Sequence, residues 1–230
     1  AKCFTLSLTL PKLDESWRQA FSDSLREASE LFNVSLIGGD TTKGPLNITI
    51  TIMGTVKKSK AIKRSGAKNG DDIYVSGDLG RAALCLKKIN EGSQPSTTEL
   101  NKLNKPVPRL SLGSALKNIA SSCIDISDGL EQDLSHILSA SKVGAIIDSN
   151  NLPLSDTVKE YIKSTQDWGL PLCGGDDYEL CFTSDKSNQS EIKKLSENLK
   201  VRITKIGVIN NSLNLNIKGY DGLSKSFKHF

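Results

Sequence analysis

The tightest constraint on how this chain folds lies between Cys123 and Leu138. Cys123 to Ile126 is a strand-like run carrying one carboxylate, Asp125. Ser127-Asp128-Gly129 interrupts it, and Leu130, Leu134, Ile137 and Leu138 then recur on one helical stripe. A strand, a sharp acidic turn and an amphipathic helix form a unit whose helix must lay its apolar stripe on a sheet. Ser127 or Asp128 is placed to cap that helix. Asp125 precedes the turn and has no capping duty. A carboxylate buried in an apolar strand needs a partner. A metal ion and a buried salt bridge both satisfy it, and the residues alone leave the two open. The helix N-terminus also offers N–H groups to a phosphate.

The rest of the chain reads around that unit. Phe4, Leu6, Leu8 and Leu10 alternate with polar residues and predict a half-buried strand. Trp17, Phe21, Leu25, Ala28 and Phe32 predict an amphipathic helix from Asp14 to Phe32, with Trp17 and Phe21 in its core face. A short apolar run from Ser35 ends in Gly-Gly-Asp. Ile48, Ile50 and Ile52 then mark another alternating strand, giving an α+β unit with helices on one side of its sheet. Lys57 to Asp72 is basic and glycine-containing and reads as a domain junction, which places residues 1–58 in one domain and 59–230 in a second. Beyond it come a strand at Ile73–Ser76, a helix at Arg81–Ile89, a polar loop at Gly92–Thr98 and a helix from Leu110 to Ser121. Strands at Ala145–Ile147, Leu180–Phe182 and Ile203–Val208 and a helix from Glu191 to Leu199 complete the pattern.

Bulk properties narrow the function. The 230 residues carry a net charge of +4 with no dense Lys/Arg block, which suits an anionic small ligand and gives no support for nucleic acid. Five cysteines, with no CxxC spacing, argue against a disulfide framework or zinc knuckle and fit a reducing cytoplasm. The two histidines, His136 and His229, do not make a His-rich metal site. No apolar run is long enough to cross a bilayer, and no signal peptide opens the chain. Neither a P-loop nor a GxGxxG fingerprint is present, so any use of ATP needs another device.

Three segments share one design, read as a glycine-flanked acidic turn at a strand end: Gly38-Gly39-Asp40-Thr41, Asp125 to Gly129, and Gly174-Gly175-Asp176-Asp177. Carboxylates at such turns point beyond the strand ends, where ligands bind in many α/β folds. Their hard oxygens suit Mg²⁺, which neutralises polyphosphate. Arg64, beside Lys63 and Lys68, is either a solvated linker charge or a phosphate clamp.

LIGGDTTKGPL, RSGAKNGDDIYVSG, IDISDGLEQDL, LPLSD, GGDDYELCF and a terminal HF, in that order along nearly the whole chain, resemble the thiamine-monophosphate kinase family. That family belongs to the aminoimidazole ribonucleotide synthetase-like superfamily. The resemblance implies a two-domain fold, with an N-terminal α+β domain that dimerises into a shared β-barrel and a C-terminal α/β domain. It implies a homodimer that phosphorylates thiamine monophosphate with ATP and Mg²⁺. It further implies that Asp40, Asp125 and Asp128 bind Mg²⁺, that Gly39, Asp40, Arg64 and Ser127 contact ATP, and that Asp176 and Phe227 contact the substrate.

Two departures stand out. The family usually has Glu where this chain has Asp176. Its GIGDDAA-type turn, Ser/Thr-Asp metal pair and SDLAAMGA segment have no counterpart before Ala1, so the chain reads as an N-terminally truncated copy with an incomplete first domain and a complete second one. Two rivals follow: another ATP-using member of the superfamily, and an inactive fragment or cation-binding module.

Overall fold

The structure is a computed structural model that describes residues 1–220. The chain divides into two compact units, Ala1–Ser59 and Lys60–Phe230.

In the first unit, β1 (Cys3–Leu10), α1 (Glu15–Phe32), β2 (Ser35–Lys43) and β3 (Asn47–Met53) form a sheet of order β2-β1-β3. β1 runs parallel to β2 and antiparallel to β3. A parallel pair needs a crossover, which α1 supplies. Asp14 caps that helix by accepting the Trp17 N–H at 3.1 Å. Asn33, left-handed at φ 50°, ends it. Trp17 and Phe21 stack on each other with ring centroids 5.0 Å apart.

One expectation fails here. Gly38 to Thr41 is not a turn at a strand end but the middle of β2. The pairing passes from Phe4↔Leu36 to Thr5↔Gly38, leaving Ile37 as the extra residue of a bulge. A Cβ on Gly39 would collide with the Leu6 carbonyl oxygen. Gly39 therefore serves close strand pairing, whereas a Cβ on Gly38 would meet nothing within 4 Å.

The second unit contains β4 (Asp72–Ser76), α2 (Arg81–Asn90), α3 (Thr97–Asn104), α4 (Leu110–Ala115), β5 (Ala120–Ile126), α5 (Leu130–Ser141) and β6 (Gly144–Asp148). It continues with α6 (Asp156–Thr165), α7 (Gly169–Cys173), β7 (Glu179–Ser184), α8 (Gln189–Leu199), β8 (Ile203–Asn210) and β9 (Leu215–Lys218). The sheet order is β5-β7-β4-β8-β6-β9, with β4 buried along its whole length. Strand alternation splits the core. Ile73 and Val75 join the cluster built on α5, whereas Tyr74 and Phe182 join the one built on Leu112 of α4 and Ile192 of α8. Helices thus cover both faces. Every pairing in this sheet is antiparallel except β6 with β9.

The helix expected over Leu110–Ser121 ends at Ala115, followed by a single 3₁₀ turn. From Ala120 the chain pairs with β7, and the Ser122 and Thr183 hydroxyls lie 2.7 Å apart across that pairing. Tertiary pairing overrides local propensity there. The loop expected over Gly92–Thr98 gives way at Thr97 to α3, a helix the sequence reading did not assign, opened by a capping box between Ser96 and Glu99. Among the described residues no helix is long and apolar enough to cross a membrane.

Candidate functional site

β5 and β7 run antiparallel and pair Ile126 with Glu179, so the end of β5 lies beside the start of β7. This brings the Ser127–Gly129 turn against the Gly174–Tyr178 loop. The latter lies between α7 and β7, at the beginning of a strand and not the end expected for it. The Asp176 N–H donates to the Ser127 carbonyl at 3.0 Å, and the Tyr178 N–H to the Ile126 carbonyl at 2.8 Å. Asp176 and Tyr178 both have positive φ, 67° and 49°. A bulky residue in that region is strained and persists only where its surroundings over-determine it. Gly129 sits at φ 110°, where a Cβ would come within 2.7 Å of the Cys173 carbonyl carbon.

The turn is not held by the caps expected of it. Gly129 occupies the N-cap of α5 with no side-chain cap. Instead Asp133, inside the helix, reaches back and accepts the Ser127 and Asp128 N–H groups at 2.9 and 3.0 Å. Burial pushes the Asp133 carboxyl up, against the pull of those two bonds. The signal for it was an aspartate one turn into the helix, facing back toward the acidic loop.

Asp125 overturns the premise of burial. It is exposed, because alternation along β5 turns it outward between buried Ile124 and Ile126. Among the described residues it forms no salt bridge, so the buried ion-pair reading falls. Asp128 is half-buried and accepts from Gln132 at 3.2 Å. Tyr178 donates to Asp176 at 3.2 Å. Burial, then the charges of Asp176, Asp125 and Asp128, hold its hydroxyl above the usual value. Three carboxylates therefore lie within electrostatic reach of one phenol.

A cavity of about 850 Å³ opens at this point. Ser127, Asp128, Gly174, Gly175, Asp176 and Tyr178 form one side, and Ala83, Leu86, Lys87, Asn90 and Glu91 of α2 the other. Cys173 also lines it; burial pushes its thiol up to about 12, so it stays protonated.

Behind the loop, side chains alternate inward. Glu179 is 1% exposed, and both its oxygens are taken: Arg109 binds them at 2.6 and 2.7 Å, Lys102 at 3.0 Å and the Ser76 hydroxyl at 2.7 Å. Asp177, also 1% exposed, accepts the Gly80 N–H at 2.8 Å through one oxygen. Its other oxygen has no hydrogen-bond partner among the described residues. Burial pushes this carboxyl up to about 7, with the Gly80 bond and the Lys102 charge opposing. Asp177, expected to point outward with its acidic turn, is instead buried against Gly80. Lys102, Arg109 and Glu179 escaped sequence reading because nothing local marks two cations near α3 and α4 as partners for a residue far along the chain.

The remaining candidates are placed as follows. Asp40 is exposed in the first unit and accepts the Thr41 N–H at 2.8 Å. Arg64 is exposed beside β5, where the Lys63 carbonyl accepts from the Cys123 N–H at 3.0 Å and the Arg64 carbonyl from the Ser141 hydroxyl at 3.3 Å. Its guanidinium forms no salt bridge among the described residues. Phe227 lies outside the described residues. Among those described, no group of three or more His, Cys, Asp or Glu side chains forms a ready metal cage. Asp128 nonetheless lines the open cavity, and Asp125, exposed at the end of β5, acts electrostatically on Tyr178 of that lining, so two hard oxygen groups lie in this region. That donor set fits Mg²⁺, which is held by one or two carboxylates while waters and phosphates fill its other positions.

Fold and site together define a class. The AIR synthase related protein N-terminal domain family matches residues 1–56, and the C-terminal domain family of the same proteins matches residues 68–218. The thiamine-monophosphate kinase of Salmonella typhimurium is 44% identical over 208 residues, covering 88% of this chain and 64% of that protein. The thiamine-monophosphate kinase of Buchnera aphidicola subsp. Schizaphis graminum is 42% identical over 239 residues, covering 98% and 73%. The solved structure of AaThiL complexed with AMPPCP and TMP superposes with a TM-score of 0.84 at 27% identity, covering all of this chain and 74% of that one. The chain belongs to the thiamine-monophosphate kinase family of the AIR synthase related proteins. It spans 64% of the Salmonella relative's length, less than two thirds.

Proposed function

We propose that this chain serves ATP-dependent phosphorylation of thiamine monophosphate to thiamine diphosphate. The observation that carries this reading is a cavity just beyond the end of β5 whose carboxylates, Asp128 among them, outnumber its cations; Asp125 acts electrostatically on Tyr178 of its lining. Asp128, Asp176 and Glu91 face it against Lys87 alone. A negative, partly apolar cavity suits the fixed positive charge of a thiazolium ring. In support, the related AaThiL holds AMPPCP and TMP.

A terminal phosphate oxygen of thiamine monophosphate attacks the γ-phosphorus of ATP in line, the bond from that phosphorus to the bridging oxygen breaks, and ADP leaves. Bound Mg²⁺ would neutralise the phosphate oxygens, with Asp40, Asp125 and Asp128 as its ligands. Gly39, Asp40, Arg64 and Ser127 contact ATP. Asp176 and Phe227 orient the substrate; the Asp176 arm is one methylene shorter than the family's Glu and reaches its partner directly or through a water. Catalysis is positioning and charge neutralisation, and the protonated Cys173 is no nucleophile. The protein works as a cytoplasmic homodimer joined through its N-terminal domain. Ile48, Ile50 and Ile52 of β3, each 44–59% exposed, suit burial against a second copy, and five free cysteines suit a reducing compartment.

The test is transfer of label from γ-labelled ATP. Label should enter thiamine diphosphate only when both thiamine monophosphate and Mg²⁺ are present. ATP turnover indifferent to thiamine monophosphate overturns the substrate assignment.

A further inference from the structure

Asp177 sits between two residues that face the cavity, Asp176 and Tyr178, yet its own side chain points the other way. Its carboxylate accepts the N–H of Gly80, the N-cap residue of α2, at 2.8 Å. That helix has no side-chain cap of its own sequence, so a residue 97 positions along the chain supplies one. The cavity's two sides are this loop and α2, and the Asp177–Gly80 bond joins them. Gly174 lies against Ala83 in the first turn of α2, so closely that a Cβ would have to displace it.

An apolar side chain would fill the same space without the cost of burying a carboxylate. What it could not supply is an acceptor for a free N–H of the helix. We propose that Asp177 is a positioning residue, tying the loop that carries Asp176 and Tyr178 to the N-terminus of α2 and so setting the spacing of the two cavity walls. Glu179, clamped by Arg109 and Lys102, anchors the other end of the same loop. With both inward side chains fixed, the strained backbone at Asp176 and Tyr178 has one conformation to occupy. As a statement about substrate, this rests on the cavity taking thiamine monophosphate.

The test compares Asp177→Ala and Asp177→Asn in the full chain, reading deuterium exchange at amides 80–83 and thiamine monophosphate affinity by calorimetry. Asparagine keeps a carbonyl acceptor and should stay within about twofold of the unmodified chain in both. Alanine should speed exchange about tenfold and weaken binding about tenfold. Should the alanine variant not fold, Asp177→Ser, too short to reach Gly80, takes its place. Faster exchange with unchanged affinity reduces Asp177 to a structural role and overturns the proposal, as does an asparagine variant as damaged as the alanine one. An unmodified chain that binds no thiamine monophosphate overturns the functional reading instead, and the exchange rates then decide the tie alone.

Discussion

Asp125 and Asp177 are both aspartates in or beside strands, and their surroundings give them opposite work. Strand alternation leaves Asp125 in solvent between Ile124 and Ile126, free to meet a hydrated cation. Asp125→Asn or Asp128→Asn should keep the fold, as judged by circular dichroism, and lower turnover at least about a hundredfold. Undiminished turnover in either variant removes that residue from the metal assignment. Asp177 is buried, and its carboxyl holds its proton up to about pH 7 where an ordinary aspartate loses it near 3.8. Between those values the folded state binds more protons than the unfolded one, so this group lowers stability as pH rises through the window. Denaturant unfolding at pH 5 and pH 7 should show Asp177→Asn gaining on the unmodified chain as pH rises, by up to about 1.4 kcal/mol per pH unit.

At the scale of elements, the site is the junction of β5, β7 and α2, held where backbone meets backbone. Gly129→Ala places a methyl against Cys173 at a positive φ and should cost about 2 kcal/mol in urea unfolding. Arg109→Met leaves the Glu179 carboxylate buried with only Lys102 as a charged partner and should cost about 3 kcal/mol. Much of this level was legible in the sequence. The stripe Leu130, Leu134, Ile137 and Leu138 is buried as its spacing requires, and α1, β3 and β4 fall where their periods place them. What was not legible depends on partners distant in the chain. The Gly38–Asp40 segment looks like a turn until β1 lies beside it, and Ala120 and Ser121 look helical until β7 does. The Ser96-to-Glu99 spacing that opens α3 was passed over inside a segment read as a polar loop. The Asp133 back-bond had one local mark, an aspartate in the first turn of α5, that the reading passed over, and the cations on Glu179 had none.

At the scale of the molecule, the order of motifs carried the family, because six segments in sequence constrain far more than any one acidic turn. The same order could not say how the loops meet. Antiparallel pairing of β5 with β7, and not the open edge of a parallel sheet, brings the acidic turn and the Gly174–Tyr178 loop together. The first unit leaves Ile48, Ile50 and Ile52 in solvent along one strand. Ile50→Lys should shift the chain toward monomer in analytical ultracentrifugation, whereas an unchanged assembly would place the subunit contact elsewhere.

The most direct measurement is calorimetric titration of the chain with a non-hydrolysable ATP analogue, with Mg²⁺ and with a chelator, on the unmodified protein and on Asp125→Asn/Asp128→Asn. The account predicts binding that requires Mg²⁺ and is lost in the double variant. Equal binding with chelator present, or in the variant, would contradict it.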